Sequence, residues 1–276
     1  MAMDLYASAS AGSFRAHASL GVGRRAEPAA VTRPSGDALY AVSREHWFGV
    51  LLDDETVFAR VGRVSIPFGL RNVEHTSWVR TLTHSDVNTA QQHGVSVAYN
   101  NGAVRGEVMG IIGNFQVSPD SYRERGYSLF GEWAVGKSTA VGLSSSLAVA
   151  DQDLQSGQGL LRNAHGLFGR WAPTSRLALM AETDLVLTTF TRTHATDVGM
   201  VAWGQADQEW VQGFHTMVSA EAILGKTVLP RGVGGWITLA WFPLPHLELR
   251  SDFILRRTSI PGALSSTLMF QAHVYL

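Results

Sequence analysis

One motif recurs three times and limits what this chain can fold into: a tryptophan, a tight turn, then a new strand of alternating apolar and polar residues. In the clearest copy Leu167, Gly169 and Trp171 share a face, with Phe168 and Arg170 opposite. After Ala172-Pro173-Thr174-Ser175-Arg176, Leu177, Leu179, Ala181, Thr183, Leu185 and Leu187 share a face while Glu182 and Asp184 point the other way. Side chains of a strand switch sides at every residue, so this is a hairpin with one apolar and one wet face. Residues 131–141 and 239–249 repeat it around Trp133 and Trp241. Tryptophans at strand ends on the apolar face mark an interfacial aromatic girdle, here Trp133, Trp171 and Trp241. The pattern predicts an all-β fold: a transmembrane antiparallel up-and-down β-barrel occupying 1–276 as a single domain.

The same alternation predicts strands over 14–22, 45–52, 56–65, 104–112, 210–224, 232–241, 247–256 and 265–276. Asn100-Asn101-Gly102 is a strong hairpin turn. Residues 25–43, 113–125 and 151–160 read as loops, and 66–92, with no sustained alternation, as a long one. No run of 18 apolar residues exists, so no membrane helix is expected.

A soluble β-sandwich also alternates. Here the wet face mixes mid-strand charges with small residues such as Gly142, Ser144, Ser146 and Ala148, which suits a crowded hydrated interior. The only lysines, Lys137 and Lys226, lie in turns or loops, whereas a soluble surface spreads Lys and Glu along its strands. The chain is 45% hydrophobic and 16% charged with formal net charge -1, which gives no reason to expect a nucleic-acid partner. Zero cysteines exclude disulfides and thiolate metal sites.

The charged face defines the candidate site. Arg15, His17, Arg60, Arg105, Glu107, Glu132 and Arg170 are expected to line the lumen, followed by Glu182, Asp184, His215, Glu221, Glu248, Arg250 and Asp252. Both signs occur in similar number, which predicts a weakly selective aqueous pore, or else internal salt bridges that fill a narrow barrel. His215 and Glu221 share a face but stand roughly 20 Å apart at ~3.3 Å per residue, so no metal site and no cofactor is expected. His17-Ala18-Ser19 and His75-Thr76-Ser77 place imidazole and hydroxyl two residues apart, a spacing used by outer-membrane lipid hydrolases. The first pair faces the wet side and the second lies in a loop, so no enzyme activity is expected.

Gly62-Arg63-Val64-Ser65-Ile66-Pro67-Phe68-Gly69-Leu70-Arg71 resembles a segment of the phosphate-selective porin O/P family. There it ends a strand and leads into a loop near the pore, and the resemblance implies a 16-stranded trimeric porin. Arg71 stands where that family usually carries an acidic residue. Arg71, Glu74, His75, Arg80, His84 and Asp86 then become candidates for a constriction, if 66–92 folds into the lumen.

Counting back from Leu276 puts the tryptophan turns on the short-turn, periplasmic side only if 197–205 is also a strand. That gives about 15 visible strands, and an even-numbered bacterial barrel then implies one more upstream, roughly 16 in all; the alternative is a closed barrel of about 14 strands with 197–205 as a loop. The first residues lack the basic region and apolar core of a signal peptide, so the numbering is taken as mature or trimmed. The expected role is an outer-membrane channel for passive diffusion of small hydrophilic solutes, in contact with outer-membrane lipid and assembled as a homotrimer or with envelope protein partners. The alternative is a structural sleeve or anchor within an envelope complex such as an electron conduit, a motility machine or a secretion machine.

Overall fold

In the computed structural model, residues 2–24, 39–42, 44–70, 77–86, 90–113, 124–152, 157–225, 231–259, 262 and 264–274 are described. In chain order the strands are β1 (Ala2–Ala11), β2 (Phe14–Arg24), β3 (Leu39–Val42), β4 (His46–Leu52) and β5 (Val57–Ser65). A six-residue helix, α1 (Trp78–Thr83), precedes β6 (Gln91–Asn100), β7 (Val104–Gly113), β8 (Glu124–Ala134) and β9 (Thr139–Ala150). The rest are β10 (Leu160–Thr174), β11 (Leu177–Phe190), β12 (Thr196–Val211), β13 (Phe214–Leu224), β14 (Gly232–Leu244), β15 (Leu247–Thr258) and β16 (Leu264–Val274).

Fifteen strands pair antiparallel with their chain neighbours in one continuous path, and β3 pairs beside it with β2. The expected loop over 25–43 therefore contains a strand. β3 lies opposite 21–24 of β2 and β4 opposite 14–18, so the two act as one strand interrupted between them. Ser19 mends the break: its Oγ accepts the amides of Arg44 (3.1 Å) and Glu45 (2.8 Å). As fifteen alternating strands require, β1 and β16 run in the same direction, and among the described residues neither has a second strand partner. Leu276 lies outside the described residues.

The two faces are inverted relative to a soluble sheet. Phe270 is 76% exposed and Leu167 65%, while Asp184 and Asp252 are each 1% exposed. In water an exposed Leu or Phe forgoes about 1.5–3 kcal/mol of burial, so a face made of them is stable only against hydrocarbon. This is an outer-membrane barrel fold with its apolar face to lipid.

Seven connections, of two to four residues each, lie at one end of the wall, which makes that end periplasmic. Trp133, Trp171 and Trp241 stand exposed next to three of them. A fourth, Trp210, closes β12 in the same way. The expected strand over 210–224 therefore merges the end of β12 with β13. The expected strand over 197–205 lies inside the sixteen-residue β12.

Strand approach is closest at Gly126, where φ is +155° and a Cβ would stand 1.8 Å from the Leu147 carbonyl oxygen. Gly126→Ala cannot be accommodated unless β8 and β9 part. It should abolish the folded, fast-migrating band on unheated detergent gels. Gly110→Ala, with nothing within 4 Å of its Cβ, should fold as the unaltered chain does. Equal folding of the two variants would refute the packing argument.

Candidate functional site

The charges on the inner face are paired along the wall. Arg60 bonds Glu107, from β5 to β7. Arg105 reaches Glu132 with Nε (2.7 Å) and Nη2 (3.0 Å), and Arg170 shares the same carboxylate at 2.7 Å. Arg256 bonds Glu221 at 2.6 Å. Arg250 grips Asp252 at 2.8 Å, a carboxylate that also accepts from Thr238 (2.5 Å) and Gln271 (3.1 Å). His215 bonds Asp207 at 3.0 Å, and His273 bonds Glu248 at 2.9 Å. Each of these pairs joins strands no more than two apart, so the side chains lie along the wall. Pairs that skip a strand pass over a small residue. Gly234 separates Glu221 from Arg256, and a Cβ on it would meet both side chains at 3.0 Å.

Two expected residues stand elsewhere. Arg15 bonds the Phe14 carbonyl and pairs with Glu55 at 3.6 Å, close to the short turns. His17 accepts or donates at Nδ1 to Ser8 (2.9 Å) and stacks on Trp47, while Ser19 is occupied with the Arg44 and Glu45 amides. The His17-Ala18-Ser19 pair is thus not a hydrogen-bonded couple. Glu124, bonded by Arg162 at 2.5 Å and by Gln92 at 3.1 Å, is an inner-face cluster that the sequence reading missed. Its members lie at strand ends, where alternation gives least signal.

The chain leaving β5 crosses the inner face. Ser128 of β8 donates to the Pro67 carbonyl at 2.9 Å, and Phe68 is 1% exposed. Gly69 has φ +60°, and a Cβ on it would stand 1.8 Å from Glu182 Oε1, so both backbone shape and space demand glycine. The Leu70 amide donates to Glu182 Oε2 at 3.0 Å, and Arg80 bonds the same carboxylate as well as the Leu70 carbonyl. The Trp78 amide donates to Glu221 at 2.7 Å, and its ring lies 5.3 Å from the Arg256 guanidinium. Leu70 and Val79 join Phe168, Val186, Val201, Trp203, Ile223, Trp236 and Ile254 in one apolar cluster. A segment starting at β5 is thereby fastened to β11, β12 and β13.

Arg80 is therefore a buried strut, 2% exposed, and does not face open solvent. Asp184 sits beside Gly166, whose missing side chain admits its carboxylate. His84 ends α1 in a left-handed conformation. Desolvation, and secondly the Arg162 guanidinium, holds its pKa well below the ordinary imidazole value, so it is neutral at pH 7. Asp86 accepts the Ala90 amide at its carbonyl, while Arg71, Glu74 and His75 lie outside the described residues. Among the described residues no group of three or more His, Asp and Glu is placed to hold a metal ion.

No family model and no curated protein matches this sequence, so the resemblance over Gly62–Arg71 stands on those residues alone. Solved structures do match in fold. OmpT, an outer membrane protein of Vibrio cholerae in trimer form, superposes with a TM-score of 0.71 at 9% identity, covering 100% of this chain and 90% of that one. The outer membrane channel DcaP of Acinetobacter baumannii gives a TM-score of 0.64 at 10% identity, covering 99% of this chain and 84% of that one. The anion-selective porin from Comamonas acidovorans gives 0.65 at 9% identity, over 99% and 89%. At these identities the likeness is one of fold: that of outer-membrane β-barrel porins.

Arg80→Ala leaves the Glu182 carboxylate buried without its cation, a loss of about 3–5 kcal/mol. The wall keeps its strand pairing, so the loss should fall on docking of the segment. Limited proteolysis should then cut within 66–92 at least tenfold faster, with the folded gel band retained. Adding Glu182→Gln should recover part of the protection. Unchanged proteolysis would mean that the pair does not hold the segment.

Proposed function

We propose that the protein is an outer-membrane channel for passive diffusion of small hydrophilic solutes, with 66–92 as the constriction in its lumen. The observation that carries this reading is the lie of the inner-face ion pairs. Those between Arg60 and Glu107, Arg105, Arg170 and Glu132, Arg256 and Glu221, and Arg250 and Asp252 run along the wall between near neighbours and do not reach across the barrel. A barrel of about fifteen strands is also too wide for side chains alone to fill. The segment from β5 to β13 narrows the space on one side. Carried over as a further part of the proposal, the trimer form of the Vibrio cholerae protein suggests assembly of this chain as a homotrimer.

Solute preference follows from which partner of each pair reaches water. Glu132 is 3% exposed in its side chain, while the two arginines on it, Arg105 and Arg170, are 44% and 48% exposed. Glu221 is 0% exposed against 22% for Arg256, and Asp252 1% against 12% for Arg250. The carboxylates lie against the wall and the guanidinium tips stand in front of them. The weak preference expected from inner-face charges of both signs in similar number thus leans toward anions.

In planar bilayers the unaltered protein should give ohmic single-channel steps, and a salt gradient should drive the reversal potential toward that of the anion. The lean should fade between 0.1 and 1 M KCl, as the screening length falls from about 10 to 3 Å. Deleting 72–90 should raise the conductance. A folded but silent barrel would sink the channel reading in favour of a sleeve with a filled lumen. Unchanged conductance in the deletion would place the segment outside the conducting path.

A further inference from the structure

The outer face carries a polar chain at a place where lipid offers nothing to bond. Tyr127 Oη lies 3.2 Å from Ser145 Oγ, which lies 3.0 Å from His165 Nδ1. Tyr127 shares its face of β8 with Trp133, Ser145 its face of β9 with Val141, and His165 its face of β10 with Trp171. Trp133, Val141 and Trp171 are exposed outer-face residues, so all three polar side chains leave the wall on its lipid side. Whichever tautomer His165 holds, its Nε2 is left needing a donor or an acceptor, and it has no partner among the described residues. Hydrocarbon supplies neither.

A matching hollow lies on the same face. In register across β11 to β14, Ala181 faces Gly204, Gly204 faces Ala220 and Ala220 faces Gly235. No side chain of that row is larger than a methyl group, and the exposed Val218 and Ile237 border it. The strand carbonyls there, each with a second lone pair, are bare. Knob and hollow also lie at one depth. Tyr127 and His165 stand six residues from Trp133 and Trp171 on their own strands, and Gly204 and Gly235 stand six residues from Trp210 and Trp241. Six residues at ~3.3 Å, on strands tilted about 40°, put both about 15 Å above the girdle, inside the roughly 25 Å apolar band.

We propose that this flank, β8 to β14, is the surface on which copies of this chain associate, the Tyr127–Ser145–His165 knob of one copy seated in the Ala181–Gly204–Ala220–Gly235 hollow of the next. The inference rests on the homotrimer reading above and names the face that makes it; it does not depend on conduction. A second copy fits better than another protein, because the complement of the knob stands at the same depth on the same chain. His165 Nε2 then meets a bared carbonyl, and the small residues let the two walls approach closely, as they do between membrane helices. Knob and hollow lie on neighbouring parts of the wall, so head-to-tail contacts close into a ring and do not run on as a filament.

The test uses protein extracted from the membrane in mild detergent, its mass read by light scattering. Three copies are expected for the unaltered chain. His165→Leu and Ala220→Phe should each reduce the mass to that of one copy, with the folded gel band retained. Val61→Phe, at an exposed outward position on β5, should leave three. Three copies surviving either His165→Leu or Ala220→Phe overturn the proposal and leave the homotrimer reading standing, whereas a single copy of the unaltered protein overturns both. Should either variant fail to fold, a cysteine pair decides, since the chain has no cysteine of its own. Leu167→Cys with Ala206→Cys places thiols two residues below knob and hollow. Within one copy their strands lie about 10 Å apart, too far for a disulfide. Oxidation of the membranes should link copies in the double variant and in neither single one. No link in the double variant overturns the proposal.

Discussion

A strand crossing hydrocarbon must give every backbone amide and carbonyl a partner on a neighbouring strand, because the solvent offers none. Neighbour-to-neighbour pairing meets that demand for the strands between β1 and β16, whose own outer edges have no strand partner among the described residues, and the rest of the structure follows from it. Where the ladder is broken, a side chain steps in. Between β3 and β4 the Ser19 hydroxyl takes two amides that the interruption withholds from β2. With backbone polarity settled inside the wall, the outward side chains are free to be apolar. The inward ones are free to carry charge.

The same pairing sets how the inner face is built. Adjacent strands stand about 4.8 Å apart, closer than two large side chains abreast allow. Long charged residues are therefore interleaved with glycine, alanine and serine. Gly234 lies between Glu221 and Arg256, and Gly142 lies under the Phe168 ring, which a Cβ would meet at 2.2 Å. Gly166 gives room to Asp184 in the same way. The abundance of glycine in this chain thus has as much to do with the inner face as with turns.

This division decides what the sequence could tell. Lipid accepts only apolar side chains, so the outer face imposes a strict period of two, and most strands and their faces were legible from it, but not the four-residue β3 inside the expected loop over 25–43. The tryptophan hairpins were legible for the same reason. Trp210 was missed because β12 runs on through Gln208 and Glu209, where alternation lapses before the turn. The inner face has no such filter. Apolar and charged residues both belong there, and the docking platform of Val201, Trp203, Ile223, Trp236 and Ile254 could not be told from ordinary strand residues. One signal was available. Of the eight tryptophans, four stand away from short turns, and three of these, Trp78, Trp203 and Trp236, meet where the segment docks. The helix α1 is six residues long, too short to show a helical period.

The contacts of the docked segment divide into two kinds with different consequences. Burying the guanidinium of Arg80 and the carboxylate of Glu182 costs about as much as their attraction returns, so the pair adds little net stability. The apolar residues Phe68, Leu70 and Val79, at about 1.5–3 kcal/mol for each fully buried side chain, supply the holding energy. The ion pair decides where they are held. Glu182 accepts both the Leu70 amide and Arg80, and so sets the segment in one register against β11. Glu221 does the same from β13 through the Trp78 amide. A purely apolar platform would let the segment slide along the wall. Two buried carboxylates on different strands fix that register without tying the segment into the ladder.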